Sequence, residues 1–344
     1  FAAAIVSPIW GNLADRKGRR LMMIRAAAGM TLTMGSLAFV PNVYWLLIMR
    51  FMTGVLSGYA PNAIAMIASQ VPRQRSGWAL GTLATGGVAG NLIGPLIGGM
   101  LAQWFGLRNV FIITGVILLI CTFLTVFMVK ENFQPIEKED VISMAELRKR
   151  INYMPILIGL FISSLILQVG ATSISPILTL YIRDLSGSSS NALVISGFIV
   201  SIAGVSAIAS SPTLGKVGDK IGNHKVLLAG LVLSLLCFIP MAFVKTPFQL
   251  GVLRFFLGFS TGALMPSINT LISKISPPEG VSRIFSYNQM FNNFGQVIGP
   301  MLGSTVAHAM GYPAVFLVTS ACVFGNIILS VFNFRKLLVT KTKI

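Results

Sequence analysis

The sequence has few charged residues. They make up 10% of its 344 positions, and only nine of them are acidic. Because soluble domains usually carry about a quarter charged residues, this scarcity excludes an ordinary water-soluble protein. Hydrophobic residues make up 54% of the chain, and the mean hydropathy is +0.81. They fall into runs of about 20 residues, long enough to cross a bilayer as a helix, so we predict an all-α polytopic membrane protein.

Residues for metal, redox and covalent chemistry are also scarce. Cys121, Cys237 and Cys322 lie in separate apolar runs, and His224 and His308 stand alone. Without Cys-x-x-Cys or Cys–His spacing, free thiols are expected rather than a disulfide or a metal site. The sequence also lacks a Gly-x-x-x-x-Gly-Lys-Ser/Thr phosphate loop and any paired-acid or nucleophile constellation. We therefore expect neither an enzyme nor an ATP-driven pump, and no metal or cofactor.

The charges are strongly biased toward lysine and arginine, which number 26 and give a formal net charge of +17. In a soluble chain such an excess would suggest nucleic-acid binding. Here 21 of them lie on the predicted side of Asp15; the other five are Arg50 and Arg254 within spans, and Arg108, Arg183 and Lys245 on the opposite side. Because short positive loops are retained in the cytoplasm, the asymmetry predicts a cytoplasmic Asp15 loop, a cytoplasmic C-terminus and no nucleic-acid partner.

The apolar runs also divide the chain. They predict the end of one span at 1–14 and ten complete spans, at 21–40, 44–69, 78–103, 109–129, 154–182, 193–214, 226–244, 248–273, 283–307 and 314–334. Residues 130–153 break this rhythm with five of the nine acids. We therefore predict an N-terminal transmembrane bundle at 1–129, a cytoplasmic linker at 130–153, a C-terminal transmembrane bundle at 154–334 and a cytoplasmic tail at 335–344.

An internal repeat relates the two halves. The segment 11–20 is predicted to be a tight charged turn, and its Gly-x-x-x-Asp-x-x-Gly spacing returns 204 residues later, at Gly215, Asp219 and Gly222. Gly94-Pro95 returns as Gly299-Pro300, 205 residues later. This alignment leaves the span at 154–182 without a first-half counterpart. We expect that the intact protein has two pseudo-symmetric six-helix bundles, and that this chain lacks the first span and part of the second.

The residues carry a family resemblance. The segment 11–20 resembles the loop signature of the major facilitator superfamily, whose parallel repeats are related by an axis along the membrane normal. The fifth predicted span resembles the signature of its twelve-span drug/proton antiporter branch, at Gly81, Gly90, Gly94, Pro95, Gly98 and Gly99. Residues 277–289 are similar to bacterial multidrug efflux proteins of the MdtG type. The glycines are expected to let helices pack closely.

The resemblance implies a proton-driven carrier that exports small amphipathic compounds by alternating access. It implies a monomer in the bacterial cytoplasmic membrane, whose partners are the substrate, protons and the lipid bilayer. Two alternatives stay open: a facilitator or symporter of a native metabolite, and a nontransporting membrane sensor.

The resemblance also implies an interdomain latch. Asp15 would lie near the cytoplasmic N-terminus of a helix in the other half, where the positive end of the helix dipole favours a carboxylate. The latch would comprise Gly11, Asp15, Arg16, Gly18 and Arg19. Asp219 would form a mirror latch in which Asn223 and His224 replace the arginines. The alternative is that Asp15 is an ordinary solvated loop residue.

Arg50 is the candidate for proton coupling, as the resemblance implies. A cation within a span costs about 2.5 to 3.5 kcal/mol and persists when it faces a partner or a wet cavity. The alternative is that Arg50 and its repeat counterpart Arg254 lie near the outer ends of their helices and snorkel to the membrane edge; for Arg254, coupling and snorkelling fit equally well. No acid falls at a predicted midplane; the nearest is Asp184. Candidate substrate contacts are polar residues in the second half, which face either a cavity or a seam between helices: Gln168, Asn269, Asn288, Gln289, Asn292 and Gln296.

Overall fold

A computed structural model describes residues 1–131, 151, 153–186, 192–277 and 280–339, apart from the side chains of 73, 95, 96, 99, 192–194 and 336–339. Most of the predicted linker, the end of the tail, and the side chains of Pro95 and Gly99 lie outside this description. The described part contains thirteen α-helices: α1 Ala2–Lys17, α2 Arg19–Ser36, α3 Val43–Leu56, α4 Tyr59–Gln70, α5 Ser76–Phe105, α6 Leu107–Met128, α7 Met154–Ser173, α8 Leu178–Leu185, α9 Ala192–Ile221, α10 Asn223–Met241, α11 Pro247–Ile275, α12 Val281–Met310 and α13 Tyr312–Val339.

The all-α prediction is confirmed. Eight segments of the described residues are long and apolar enough to cross a membrane: Arg19–Phe39, Val43–Gln70, Leu107–Met128, Met154–Ser173, Ile195–Ile221, Asn223–Met241, Pro247–Ile275 and Tyr312–Arg335. The helices α5 and α12 have 30 residues each, so each extends about 45 Å. Every predicted span therefore corresponds to a helix or to a pair of consecutive helices.

The charged turn at 11–20 was predicted wrongly, because most of it is helical. Helix α1 continues to Lys17, and α2 begins at Arg19, so Gly18 alone separates them. Gly18 has φ 94°. This backbone conformation is energetically unfavourable for residues that have a Cβ atom but is readily adopted by glycine. The second repeat has the same device at Gly222, with φ 104°, between α9 and α10. The tight connection keeps Asp15 on a rigid helix rather than on a loop.

The chain forms two compact units. The first comprises Phe1–Gln70, Ile93–Asn152 and Ser276–Met290; the second comprises Val71–Leu92, Tyr153–Ile275 and Phe291–Ile344. Helices α5 and α12 therefore each begin in the unit made mainly of the other repeat. The bundle boundaries drawn from the sequence follow the repeats and stay a prediction.

Small residues mediate the helix packing within each unit. In the second unit, Gly258 and Gly262 of α11 lie against the backbone of α9, so that a Cβ at Gly262 would come within 2.6 Å of the Ala207 carbonyl oxygen. In the first unit, Gly115 of α6 lies against Gly35 of α2, with 3.0 Å between its ideal Cβ and the Gly35 Cα. Between membrane helices this close approach supplies the van der Waals contact that stabilises packing.

Candidate gating site

Asp15 lies at the beginning of α12. Its Oδ1 accepts a hydrogen bond of 2.9 Å from the backbone N–H of Ser282, and its Oδ2 accepts one of 3.0 Å from the N–H of Arg283. These are the second and third residues of α12, whose N–H groups have no acceptor within their own helix. The carboxylate therefore satisfies two free donors at the positive end of a helix of the other repeat. We call this arrangement the Asp15 cap.

Arginines surround the Asp15 cap. The Arg283 Nε donates to Oδ2 of Asp15 at 3.2 Å, and an Arg19 Nη lies 3.9 Å from Oδ1. Arg19 also donates to the hydroxyls of Ser282 at 2.8 Å and Ser69 at 2.7 Å. Asp15 and Arg283 are each only 4% exposed. The site is therefore a buried ion pair within a hydrogen-bond network, and the description of Asp15 as a solvated loop residue is wrong.

Glu131, at the end of the first repeat, is the second carboxylate that contacts Arg19. Its two carboxylate oxygens accept hydrogen bonds from the backbone N–H groups of Arg19 at 3.2 Å and Arg20 at 2.8 Å, at the N-terminus of α2. It also lies 3.9 Å from Arg19 Nη1. The carboxylates of Asp15 and Glu131 thus fix the Arg19 guanidinium between them. Arg16, in contrast, is exposed, and its side chain has no hydrogen bond or ion pair with any described residue.

Gly11 allows the two helices of the Asp15 cap to touch. A Cβ at Gly11 would overlap the Ser286 side chain and would lie 2.8 Å from the Ser282 carbonyl oxygen. A side chain at this position must therefore push α12 away from α1. The glycine of the motif keeps Asp15 within hydrogen-bond distance of the helix end.

The second repeat contains a matching Asp219 cap. The Asp219 carboxylate accepts hydrogen bonds of 2.9 Å from the backbone N–H groups of both Gly77 and Trp78, the second and third residues of α5. Gly215 lies against Gly77 here, with 2.8 Å between its ideal Cβ and the Gly77 carbonyl carbon. Ser211 donates to the Gly81 carbonyl oxygen at 3.0 Å. Each repeat therefore offers one carboxylate to a helix of the other.

The two caps differ in charge. Trp78 stands where the Asp15 cap has Arg283, and Asn223 stands where it has Arg19. Asn223 is 1% exposed, and neither its Oδ1 nor its Nδ2 has a hydrogen-bond partner among the described residues. Asp219 is also less buried than Asp15. Among the described residues, the Asp219 cap thus rests on two backbone hydrogen bonds without a guanidinium.

Burial acts on the acidity of Asp15. It raises the pKa of the Asp15 carboxyl above its ordinary value of 3.8, although the hydrogen bonds from Ser282 and Arg283 and the charge of Arg19 oppose the shift. The capped state therefore binds the Asp15 proton more tightly than a state in which the carboxyl is solvated.

The predicted coupling residues lie outside the caps. Arg50 is in α3 and Asp184 near the end of α8; both are exposed, and neither side chain has a hydrogen bond or ion pair with a described residue. Arg254 in α11 is partly buried and lines a cavity within the second unit.

The glycine series of α5 is packed only at its beginning. A Cβ at Gly81 would lie 2.6 Å from the Ser211 carbonyl oxygen, whereas no described atom lies within 4 Å of one at Gly90, Gly94 or Gly98. Their counterparts in the second repeat, Gly295, Gly299 and Gly303, all lie against α7, and Gly303 abuts the Ser173 carbonyl oxygen. Close packing is therefore seen throughout the second series. In the first series, the described residues provide it only at Gly81.

The predicted substrate contacts do not share one environment. Asn288 is 3% exposed, Gln296 is exposed, and Gln168 packs against Gly295, with 2.7 Å between Gln168 Cβ and the ideal Cβ of that glycine. Asn269, Gln289 and Asn292 are partly buried. The polar stripe on α12 thus runs from a buried to an exposed environment along the helix.

The sequence matches the Major Facilitator Superfamily over residues 1–207 and again over residues 160–342. The two matches together extend over nearly the whole chain. The chain belongs to the major facilitator superfamily. The repeat and the paired caps are thus features of a superfamily member whose halves are each similar to the family pattern.

Curated relatives are similar over almost the entire chain. The multi-drug resistance efflux pump PmrA homolog of Lactococcus lactis is 54% identical over 98% of this chain and 84% of its own length. PmrA of Streptococcus pneumoniae is 50% identical over 99% of this chain and 85% of its own length. Multidrug resistance protein MdtG of Escherichia coli is 48% identical over 97% of this chain and 82% of its own length. The predicted similarity to the MdtG type is confirmed.

Solved structures of the superfamily share the fold. The E. coli fucose:proton symporter FucP aligns with a TM-score of 0.79 at 15% identity, over 97% of this chain and 88% of that one. The human organic anion transporter MFSD10 aligns with a TM-score of 0.75 at 14% identity, over 96% of this chain and 81% of that one. At these identities the likeness concerns the fold alone.

The sequence reasoning missed the partners of both carboxylates. The sequence did not identify Ser282 and Arg283, or Gly77 and Trp78, as these partners, and Glu131 falls within the predicted linker at 130–153. One signal was available, because the 205-residue offset of the later repeat equates Gly77 and Trp78 with Ser282 and Arg283. Residues that align between repeats and begin their helices were therefore candidates for equivalent roles.

Proposed function

We propose that this protein exports small amphipathic drugs across the bacterial cytoplasmic membrane in exchange for protons. The observation that carries the proposal is the identity of 48 to 54%, over 97 to 98% of the chain, to the multidrug resistance protein of E. coli and the efflux pump homolog of L. lactis. A multi-pass membrane chain with no enzymatic relatives among these matches fits a carrier. The charge asymmetry supports a cytoplasmic location for both caps and for the C-terminus.

The caps support a gate in alternating access. Each joins a helix of one repeat to the N-terminus of a helix of the other, through two backbone donors at about 3 Å. Movement of one repeat relative to the other must break these hydrogen bonds. The carboxylates then stabilise the state in which both caps are formed. For the transport cycle to proceed, the combined free energy of the two caps must be small enough that they can open.

Arg50 is the candidate that couples transport to the proton gradient. A guanidinium without a described partner in an apolar helix is costly, and such residues mark ion or substrate pathways in membrane proteins. Asp184 is the nearest candidate carboxylate for the proton. In this mechanism Arg50 supplies fixed positive charge near the path by which the substrate and the proton exchange.

The coupling proposal is tested in inverted membrane vesicles. A preformed interior-acid pH gradient is monitored with a fluorescent weak base while ethidium is added. Wild type should dissipate the gradient, because each substrate cation that enters releases protons. Arg50→Ala should abolish the response at normal expression, and Arg50→Lys should restore part of it, since an ammonium lacks the planar fork of donors.

Lys245→Ala is the matched control, because Lys245 is an exposed loop cation outside the spans, and its response should equal that of wild type. Ethidium binding without any gradient response in wild type would refute proton-coupled efflux and favour a sensor or a uniporter. A full response of Arg50→Ala would refute the coupling role of Arg50 and leave efflux standing.

A further inference from the structure

The second unit contains a cavity of about 210 Å³ among its own helices. Its walls come from α7, α9, α10, α11 and α13, and most of the lining residues are apolar. Leu167, Phe238 and Leu257 form much of the apolar wall, while Ala171 and Thr261 are exposed and mark its opening. An engineered cavity of about 150 Å³ in another protein holds benzene, so this volume accommodates a substituted aromatic ring.

Arg254 introduces a positive charge into this cavity. It lies roughly 10 Å along α11 from Pro247, inside a segment apolar enough to span a membrane. Its Nε is buried without a hydrogen-bond partner, and its side chain has no ion pair with any residue in the described ranges. Burying a guanidinium without a compensating negative charge is unfavourable. An anion bound beside Arg254 would supply that charge.

The hydroxyls beside Arg254 do not compensate its charge. Ser234 shares a hydrogen bond of 2.7 Å with Ser260, and Thr261 donates to the Gly258 carbonyl oxygen at 3.0 Å. None of these hydroxyls accepts a hydrogen bond from Arg254, and a hydroxyl carries no negative charge to neutralise a cation. Among the described residues, the cavity therefore presents one positive group and an apolar surface.

We propose that Arg254 and this cavity form a binding site for a small organic carboxylate with an apolar body. The guanidinium matches a carboxylate with two parallel hydrogen bonds, and the walls at Leu167, Phe238 and Leu257 accept a ring or a short chain. The site lies within one unit and goes beyond the proposed function, since it can bind its ligand without a proton gradient.

Benzoate tests the site, because it is ionised at neutral pH and consists of one ring and one carboxylate. Purified protein in lipid nanodiscs should bind radiolabelled benzoate saturably, with about one molecule per chain, in equilibrium dialysis. Arg254→Gln should weaken binding at least tenfold, and Arg254→Lys should weaken it less. Benzyl alcohol, a neutral analogue of similar shape, should compete at least tenfold more weakly than unlabelled benzoate.

Two further variants separate the site from general effects of substitution. Lys245→Gln removes an exposed cation of the same unit that does not line the cavity, and should leave benzoate affinity unchanged. Ala171→Phe fills the exposed opening while retaining the charge, and should weaken binding. Retention of the same monodisperse elution profile shows that each variant is folded.

Three results would overturn the proposal: no saturable benzoate binding to wild type, equal affinity in wild type and Arg254→Gln, or benzyl alcohol competing as well as benzoate. Chloride is also tested as a competitor of benzoate, with gluconate as the control anion. Displacement of benzoate by millimolar chloride would instead indicate a halide site. Because the measurement needs no gradient, its failure leaves drug efflux untouched, and a failure of efflux leaves this site untouched.

Discussion

Replacing Asp15 by asparagine changes the Asp15 cap with little change in size. The amide oxygen can still accept from one backbone N–H, but the amide nitrogen is a donor and faces the second N–H of α12. Arg283 loses its carboxylate at the same time. The variant should therefore insert and fold, while the capped state becomes less stable relative to the open state.

The size of the effect follows from these contacts. One buried N–H left without an acceptor costs about 1 to 3 kcal/mol. Loss of a negative charge at a helix N-terminus costs up to about 2 kcal/mol in partly buried sites. Since both losses concern the same group, we expect about 2 to 4 kcal/mol in total. At about 1.4 kcal/mol per factor of ten, the open fraction should rise roughly 30- to 900-fold while the capped state still predominates.

Chemical modification of a buried cysteine measures the open fraction. Ser286 is 2% exposed and lies against Gly11, so Ser286→Cys becomes accessible only when the Asp15 cap opens. The reporter is placed in a protein from which the three native cysteines have been removed. Its reaction with a water-soluble maleimide is followed in membranes, with and without Asp15→Asn.

Lys17→Gln is the matched control, because it removes an exposed charge from the same helix turn and should change the rate less than about twofold. A rate increase below about threefold for Asp15→Asn, at normal expression, would mean that the carboxylate contributes less than about 0.7 kcal/mol. The reasoning from the hydrogen bonds would then be refuted.

Two further predictions follow from the same geometry. Asp219→Asn should raise the rate at Ser286→Cys only about 5- to 30-fold, because the described residues give its cap no guanidinium and weakening it costs about 1 to 2 kcal/mol. An effect as large as that of Asp15→Asn would contradict this ranking. Gly303→Ala should destabilise the detergent-solubilised protein by about 1 to 3 kcal/mol in thermal unfolding, because its Cβ meets the Ser173 carbonyl, whereas its counterpart Gly98→Ala should have little effect; equal shifts would contradict the packing described.

Charge placement also explains why the protein can hold Asp15 so firmly. The carboxylate is buried, yet four donors or cations from Ser282, Arg283 and Arg19 compensate it. A buried pair of this kind is stabilising only when its geometry satisfies the remaining polar groups. In the second repeat, the buried Asn223 side chain has no hydrogen-bond partner among the described residues. Its unsatisfied polar atoms fit a weaker Asp219 cap.

The sequence by itself determined the class of fold, the repeat and the family, because each depends on local composition or on spacing along the chain. A run of apolar residues must form a helix in lipid to satisfy its own backbone, whatever surrounds it. The spacing of Gly11, Asp15 and Gly18 likewise survives in the second repeat without any tertiary information.

Only the tertiary structure decided what these residues contact. Asp15 meets Ser282 some 267 residues away, and nothing in the local sequence fixes which helix end a carboxylate reaches. The same limit applies to packing, since Gly98 and Gly303 align in the repeat but only Gly303 has a described helix against it. Arg254 was equally ambiguous, because snorkelling and lining a cavity require the same residue at the same helix position. The surrounding helices distinguish these cases, since burial and hydrogen bonding depend on neighbours that are distant in the chain.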